Sequence, residues 1–131
     1  MKSKAAQALK YIELKSGYND NGPAWIGRVK LSKSGRTIYF DGRALKQGGR
    51  GASGNHVDMA TGEMFWVSNV KRNGNDRHWA GSGKVLIEAG AVDEYLATIG
   101  ERELDTSRFV VTADIRETDP ADFVHAENAR L

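Results

Sequence analysis

The chain contains no cysteine, which excludes thiol nucleophiles, redox pairs, zinc ribbons and disulfide frameworks together. Histidine is scarce at three residues and proline at two, among 131 in all. No apolar run approaches membrane-spanning length, and the basic start Met1-Lys2-Ser3-Lys4 is followed by no apolar stretch of signal-peptide length. The expectation is a soluble, cytoplasmic protein with no membrane partner. No cofactor and no metal is expected. His56, Asp58 and Glu63 flank one turn, but no third ligand stands at a recognisable metal spacing. The length suits one domain, 1–131, able to bury a core without staples.

Charge is plentiful but unevenly placed. Residues 1–27 hold four basic and two acidic side chains, residues 28–84 eleven and four, and residues 85–131 four and eleven. The segments carry +2, +7 and −7, hidden within a net charge of +2. A basic surface on a small domain points to a polyanion as partner, RNA or single-stranded DNA above all. The acidic C-terminal third offers an alternative, a protein–protein adaptor or self-association through that segment.

Glycine is abundant at fifteen residues, set between short runs of β-branched and aromatic residues. That pattern predicts short strands and tight turns. Candidate strands are Tyr11 to Lys15, Ala24 to Ser32, Thr37 to Asp41, Arg43 to Lys46, Asn55 to Met59, Glu63 to Val70 and Lys84 to Glu88. A four-residue loop, Lys33 to Arg36, pairs Leu31 with Ile38 and Val29 with Phe40 on one face. It leaves Lys30 opposite Tyr39 and Arg28 opposite Asp41 on an outer face. Asp41-Gly42 suits a type I′ turn, and Gly62 a left-handed position closing the Ala60-Thr61-Gly62 hairpin. Met64, Trp66 and Val70 alternate with Phe65 and Val67, so that strand is expected to be covered on both faces. Trp25 and Trp66 are expected in the core.

The last third changes character. Val92, Tyr95, Leu96 and Ile99 share one helix face, ended by Gly100. Ser107 to Arg116 alternates as a strand, with Phe109, Val111, Ala113 and Ile115 on its buried side. Asp119-Pro120 predicts an N-cap and first-turn proline for a closing helix through Phe123 and Val124. The expected fold is mainly β, of α+β class. It is a small antiparallel barrel, SH3-like or OB-like, over 11–88, with a helix-strand-helix addition over 91–131.

Two glycine-rich stretches carry no familiar chemistry. Gly48 to Gly54 lacks the Gly-Lys-Ser/Thr ending of a phosphate loop, and Gly81-Ser82-Gly83 lacks the spacing of a nucleophile elbow. The long loop Lys71 to Gly83 is different, because it gathers Lys71, Arg72, Arg77, His78 and Trp79. Cationic groups bind phosphates and an indole stacks on a base, the combination that single-strand binders use. With Arg28, Lys30 and Tyr39 these form the expected nucleic-acid or anion-binding set. A small enzyme using His78 and Asp76 as a base pair is the further alternative.

Tyr11-Ile12-Glu13-Leu14-Lys15, the run Gly17 to Gly27, and Gly74 with Asp76-Arg77-His78-Trp79 resemble a group of small uncharacterised bacterial proteins. The resemblance covers roughly residues 11 to 99, and the tail from Glu101 looks like an addition. Some members carry the label 1-deoxy-D-xylulose-5-phosphate synthase. The thiamine-diphosphate enzyme of that name is several-fold longer and uses a Gly-Asp-Gly motif, where this chain has Phe40-Asp41-Gly42 in an expected turn. The resemblance therefore implies a bacterial setting and carries over no catalytic residue.

Overall fold

The computed structural model describes residues 6–17, 22–48, 54–74, 76, 83–113, 115–116 and 118–123. Among the described residues eight strands form one sheet: β1 (Ala6–Leu14), β2 (Ala24–Leu31), β3 (Thr37–Phe40), β4 (Arg43–Gln47), β5 (His56–Asp58), β6 (Met64–Asn69), β7 (Val85–Glu88) and β8 (Phe109–Thr112). The first six follow the order β1-β6-β5-β4-β3-β2, and β2 pairs back onto β1, closing an antiparallel barrel. Closure gives each of those strands a partner on both sides. No helix among the described residues is long and apolar enough to cross a membrane.

Alternation along the strands builds two cores. Ile12, Val29, Ile38, Phe40, Leu45, Phe65 and Val67 point into the barrel. Tyr11, Ala24 and Ile26 point outward from β1 and β2, where Val85, Ile87, Phe109 and Tyr95 meet them. Each large apolar side chain buried so completely contributes roughly 1.5–3 kcal/mol. Strand β6 serves both cores, Phe65 and Val67 inside and Trp66 outside, with Val70 just beyond its end also on the outer core. Two-sided cover was the expectation from its sequence. Trp25 and Trp66 are half-buried and packed against the two cores.

Local signals placed most elements. Helix α1 (Val92–Ile99) turns its apolar stripe to the outer core and stops at Gly100, whose φ of 74° is left-handed and whose N–H donates to Leu96 O at 2.9 Å. The Asp41-Gly42 turn has φ of 49° and 77°, the double positive that type I′ requires.

Four expectations need correction. The β2–β3 ladder has the expected pairs Lys30↔Tyr39 and Leu31↔Ile38, but ends there and does not reach Arg28↔Asp41. Strand β2 instead turns that edge to β7, which runs parallel through Trp25↔Leu86 and Ile26↔Ile87. Tyr39 is 4% exposed rather than on an open face, because Phe123 lies over it with ring centroids 5.8 Å apart. Strand β8 is only four residues long and parallel to β7. Its Val111, expected inside, is 52% exposed. Among the described residues the closing helix is a 3-10 turn, Pro120–Phe123, with Asp119 Oδ1 accepting from Ala121 N at 2.9 Å. Val124, residues 18–21 and residues 49–53 of the glycine-rich loop lie outside the described residues.

Candidate functional site

Where β2 passes from β3 to β7, the barrel wall splits. Gly27 sits beside the split with no side chain to fill it: a Cβ there would lie 3.1 Å from Glu88 Oε2 and 3.5 Å from Ile115 Cδ1. Glu88 closes part of the gap, its Oε2 accepting the Arg28 backbone N–H at 3.1 Å. That backbone donor would otherwise lack a strand partner. Ile115 enters from the C-terminal segment and packs against the inner core.

The same segment straps the β3–β4 turn. Arg116 N donates to Asp41 Oδ1 at 3.0 Å, and Gly42 N donates to Thr118 Oγ1 at 2.7 Å. Thr118 is buried at 5% exposure. The Arg116 guanidinium lies over Gly42, so close that a Cβ at Gly42 would stand 2.6 Å from Nη1. Between strap, β2 and β3 lies a cleft of about 230 Å³. Arg28, Lys30, Tyr39, Asp41, Glu88 and Arg116 line it, with Gln7 at one side.

Three of the sequence-predicted residues, Arg28, Lys30 and Tyr39, thus meet in one cleft. Their availability differs. The Arg28 guanidinium pairs with the Glu94 carboxylate of α1, both side chains two-fifths exposed. Such a surface pair contributes less than about 1 kcal/mol, so an incoming anion can compete for it. The Tyr39 ring is covered by Phe123. Arg116, which the sequence reading passed over, forms no ion pair among the described residues. Only tertiary contact could reveal it, since it reaches the cleft across 75 positions of sequence from Asp41.

Lys71 and Arg72 are exposed on the turn after β6 and do not line the cleft. Arg77, His78 and Trp79 lie outside the described residues. The root of their loop is fastened: Asp76 Oδ1 accepts from Lys71 N at 2.7 Å, and Arg108 Nη2 donates to Gly74 O at 3.1 Å. Burial pushes the Asp76 carboxyl above its usual range. Burial, then the Asp76 charge, pushes the neighbouring Tyr95 hydroxyl up to about 12. Asp76 therefore serves as an anchor of the loop on the outer core.

His56 and Asp58, the weak metal candidates, are both buried and separately engaged. Asp58 Oδ2 holds Arg43 Nη1 at 2.5 Å, while His56 Nδ1 lies 3.0 Å from Asn55 Oδ1. Among the described residues no group of three potential metal-binding side chains occurs. Searches of protein-family models, curated proteins and solved structures find no match to this chain.

Proposed function

We propose that this barrel is a binding module for an anionic polymer, with single-stranded RNA or DNA the ligand class and the split-wall cleft its phosphate site. The observation that carries the reading is the convergence on one cleft of Lys30 and of the Arg116 guanidinium, which forms no ion pair among the described residues, beside the displaceable Arg28. Guanidinium and ammonium groups favour phosphate through charge-assisted hydrogen bonds. A small closed barrel is also the general build of SH3-like and OB-like modules, although fold alone assigns no ligand. Lys71 and Arg72 add charge along a second, exposed turn. A bacterial cytoplasm is the setting that this reading supposes.

Fluorescence anisotropy of labelled single-stranded oligonucleotides over a salt series tests it. Binding should weaken steeply with salt, and the combined variant Lys30→Ala, Arg116→Ala should flatten the logarithmic slope by about 0.7 per lost phosphate contact. Absence of salt-sensitive binding to any RNA or DNA tested removes the reading. If only Lys71→Ala, Arg72→Ala flattens the slope, the cleft is the wrong site.

A further inference from the structure

The cleft is not lined by cations alone. Two half-buried carboxylates, Asp41 and Glu88, stand among Arg28, Lys30 and Arg116. A phosphate gains from the cations and loses to the carboxylates, so a ligand that fits this lining brings hydrogen-bond donors together with its negative charge. Each carboxylate gives one oxygen to the backbone. Asp41 Oδ1 accepts from Arg116 N at 3.0 Å, and Glu88 Oε2 from Arg28 N at 3.1 Å. Asp41 Oδ2 and Glu88 Oε1 accept no hydrogen bond among the described residues.

Their settings differ. Asp41 lies in the β3–β4 turn, where it fastens the strap. Glu88 ends β7 and lies against Gly27, where a Cβ would stand 3.1 Å from its Oε2 and 3.6 Å from its own Cβ. The missing side chain at Gly27 and the bond to Arg28 N therefore hold the Glu88 carboxylate in place, which lowers the cost of ordering it around a ligand. Ile115 Cδ1 borders the same gap, 3.5 Å from that Cβ position, and offers a ring an apolar wall. The cleft of about 230 Å³ equals roughly eight waters at their liquid volume, more room than one phosphate group fills.

We propose that Glu88 selects guanine at one position of the bound strand, its carboxylate accepting from guanine N1–H and N2–H while the cations hold a neighbouring phosphate. Guanine is the common base whose Watson–Crick edge sets two donors side by side, and single-stranded bases are read on that edge. Adenine and cytosine set a ring-nitrogen acceptor beside their amino group, and uracil or thymine places its N–H between two carbonyls. Each of these turns a lone pair toward the carboxylate, which has no proton to give. The inference rests on the anion-binding reading and adds base choice to it.

Fluorescence anisotropy of an all-thymine strand, and of the same strand with one central guanine, adenine, cytosine or hypoxanthine, tests it. The guanine strand should bind about tenfold more tightly than the adenine, cytosine and all-thymine strands. Hypoxanthine, which lacks the N2 amino group, should fall between. Glu88→Gln keeps an acceptor for Arg28 N but turns an amide donor toward the base, so the guanine preference should vanish. Asp41→Asn removes the same charge from the cleft and leaves an Asn-Gly pair suited to the turn. Both variants should tighten the all-thymine strand, but only Asp41→Asn should keep the preference. Equal, salt-sensitive binding of every strand overturns this inference and leaves the anion-binding reading standing. A preference that survives Glu88→Gln, or that is lost equally in Asp41→Asn, also overturns it. Absence of binding to any strand removes both.

Discussion

His56 shows how burial, helped by a neighbouring charge, tunes a side chain. It is 8% exposed, and burial first, then the Lys10 ammonium, lowers its pKa from 6.5 to about 4. The unfolded chain takes up the imidazole proton near 6.5, and the folded chain only near 4. Protonation therefore favours unfolding: this contribution is complete above pH 6.5 and is lost as the pH falls toward 4. The loss is on the order of 3 kcal/mol at most. Urea midpoints at pH 7 and pH 4.5 should separate the wild type from His56→Gln, which lacks this titration. Equal acid losses in the two proteins would show that His56 is not responsible.

At the scale of elements, two glycines with the same backbone play different parts. Gly35, in the β2–β3 loop, has φ of 76° and open space around its would-be Cβ. Gly42, in the β3–β4 turn, has φ of 77° and the Arg116 guanidinium against it. Replacing either by alanine forces an L-residue into the left-handed region, costing roughly 1 kcal/mol. Similar falls in melting temperature are therefore expected, because the tip of Arg116 can move aside. Only Gly42→Ala displaces that guanidinium, so only it should alter the salt slope of oligonucleotide binding. Equal effects of both substitutions on that slope would separate Arg116 from the site.

Across the whole molecule, the question is what holds the acidic third to the basic barrel. The sequence suggests attraction between segments of +7 and −7. The contacts say otherwise. Tyr11, Ile26, Ile87 and Tyr95 are 0–1% exposed at the junction, while the Arg28–Glu94 pair is two-fifths exposed and open to screening. Apolar burial dominates, and raising salt should change stability by less than about 1 kcal/mol. Thermal melts over a salt series check this. A fall of several degrees per step would mean that charge does the docking.

The same contrast separates what was legible in the sequence from what was not. Alternation and turn chemistry determined the β2–β3 register at Lys30↔Tyr39 and Leu31↔Ile38, the Asp41-Gly42 turn, the two-faced strand β6 and the stop of α1 at Gly100. Each depends on neighbours a few residues apart, whose sterics act in any context. The register beyond Lys30 depended instead on β7, which arrives more than fifty residues later and takes over the edge of β2. Burial of Tyr39 depended on Phe123, and the cleft on Ile115, Arg116 and Thr118 crossing to the Asp41-Gly42 turn. Alternation likewise put Val111 inside, since period two cannot tell a strand covered on both sides from one at the margin of a sheet. Local propensity acts along the chain, but which edge is paired and which cation comes to line a cleft are settled only when distant segments compete for the same backbone donors.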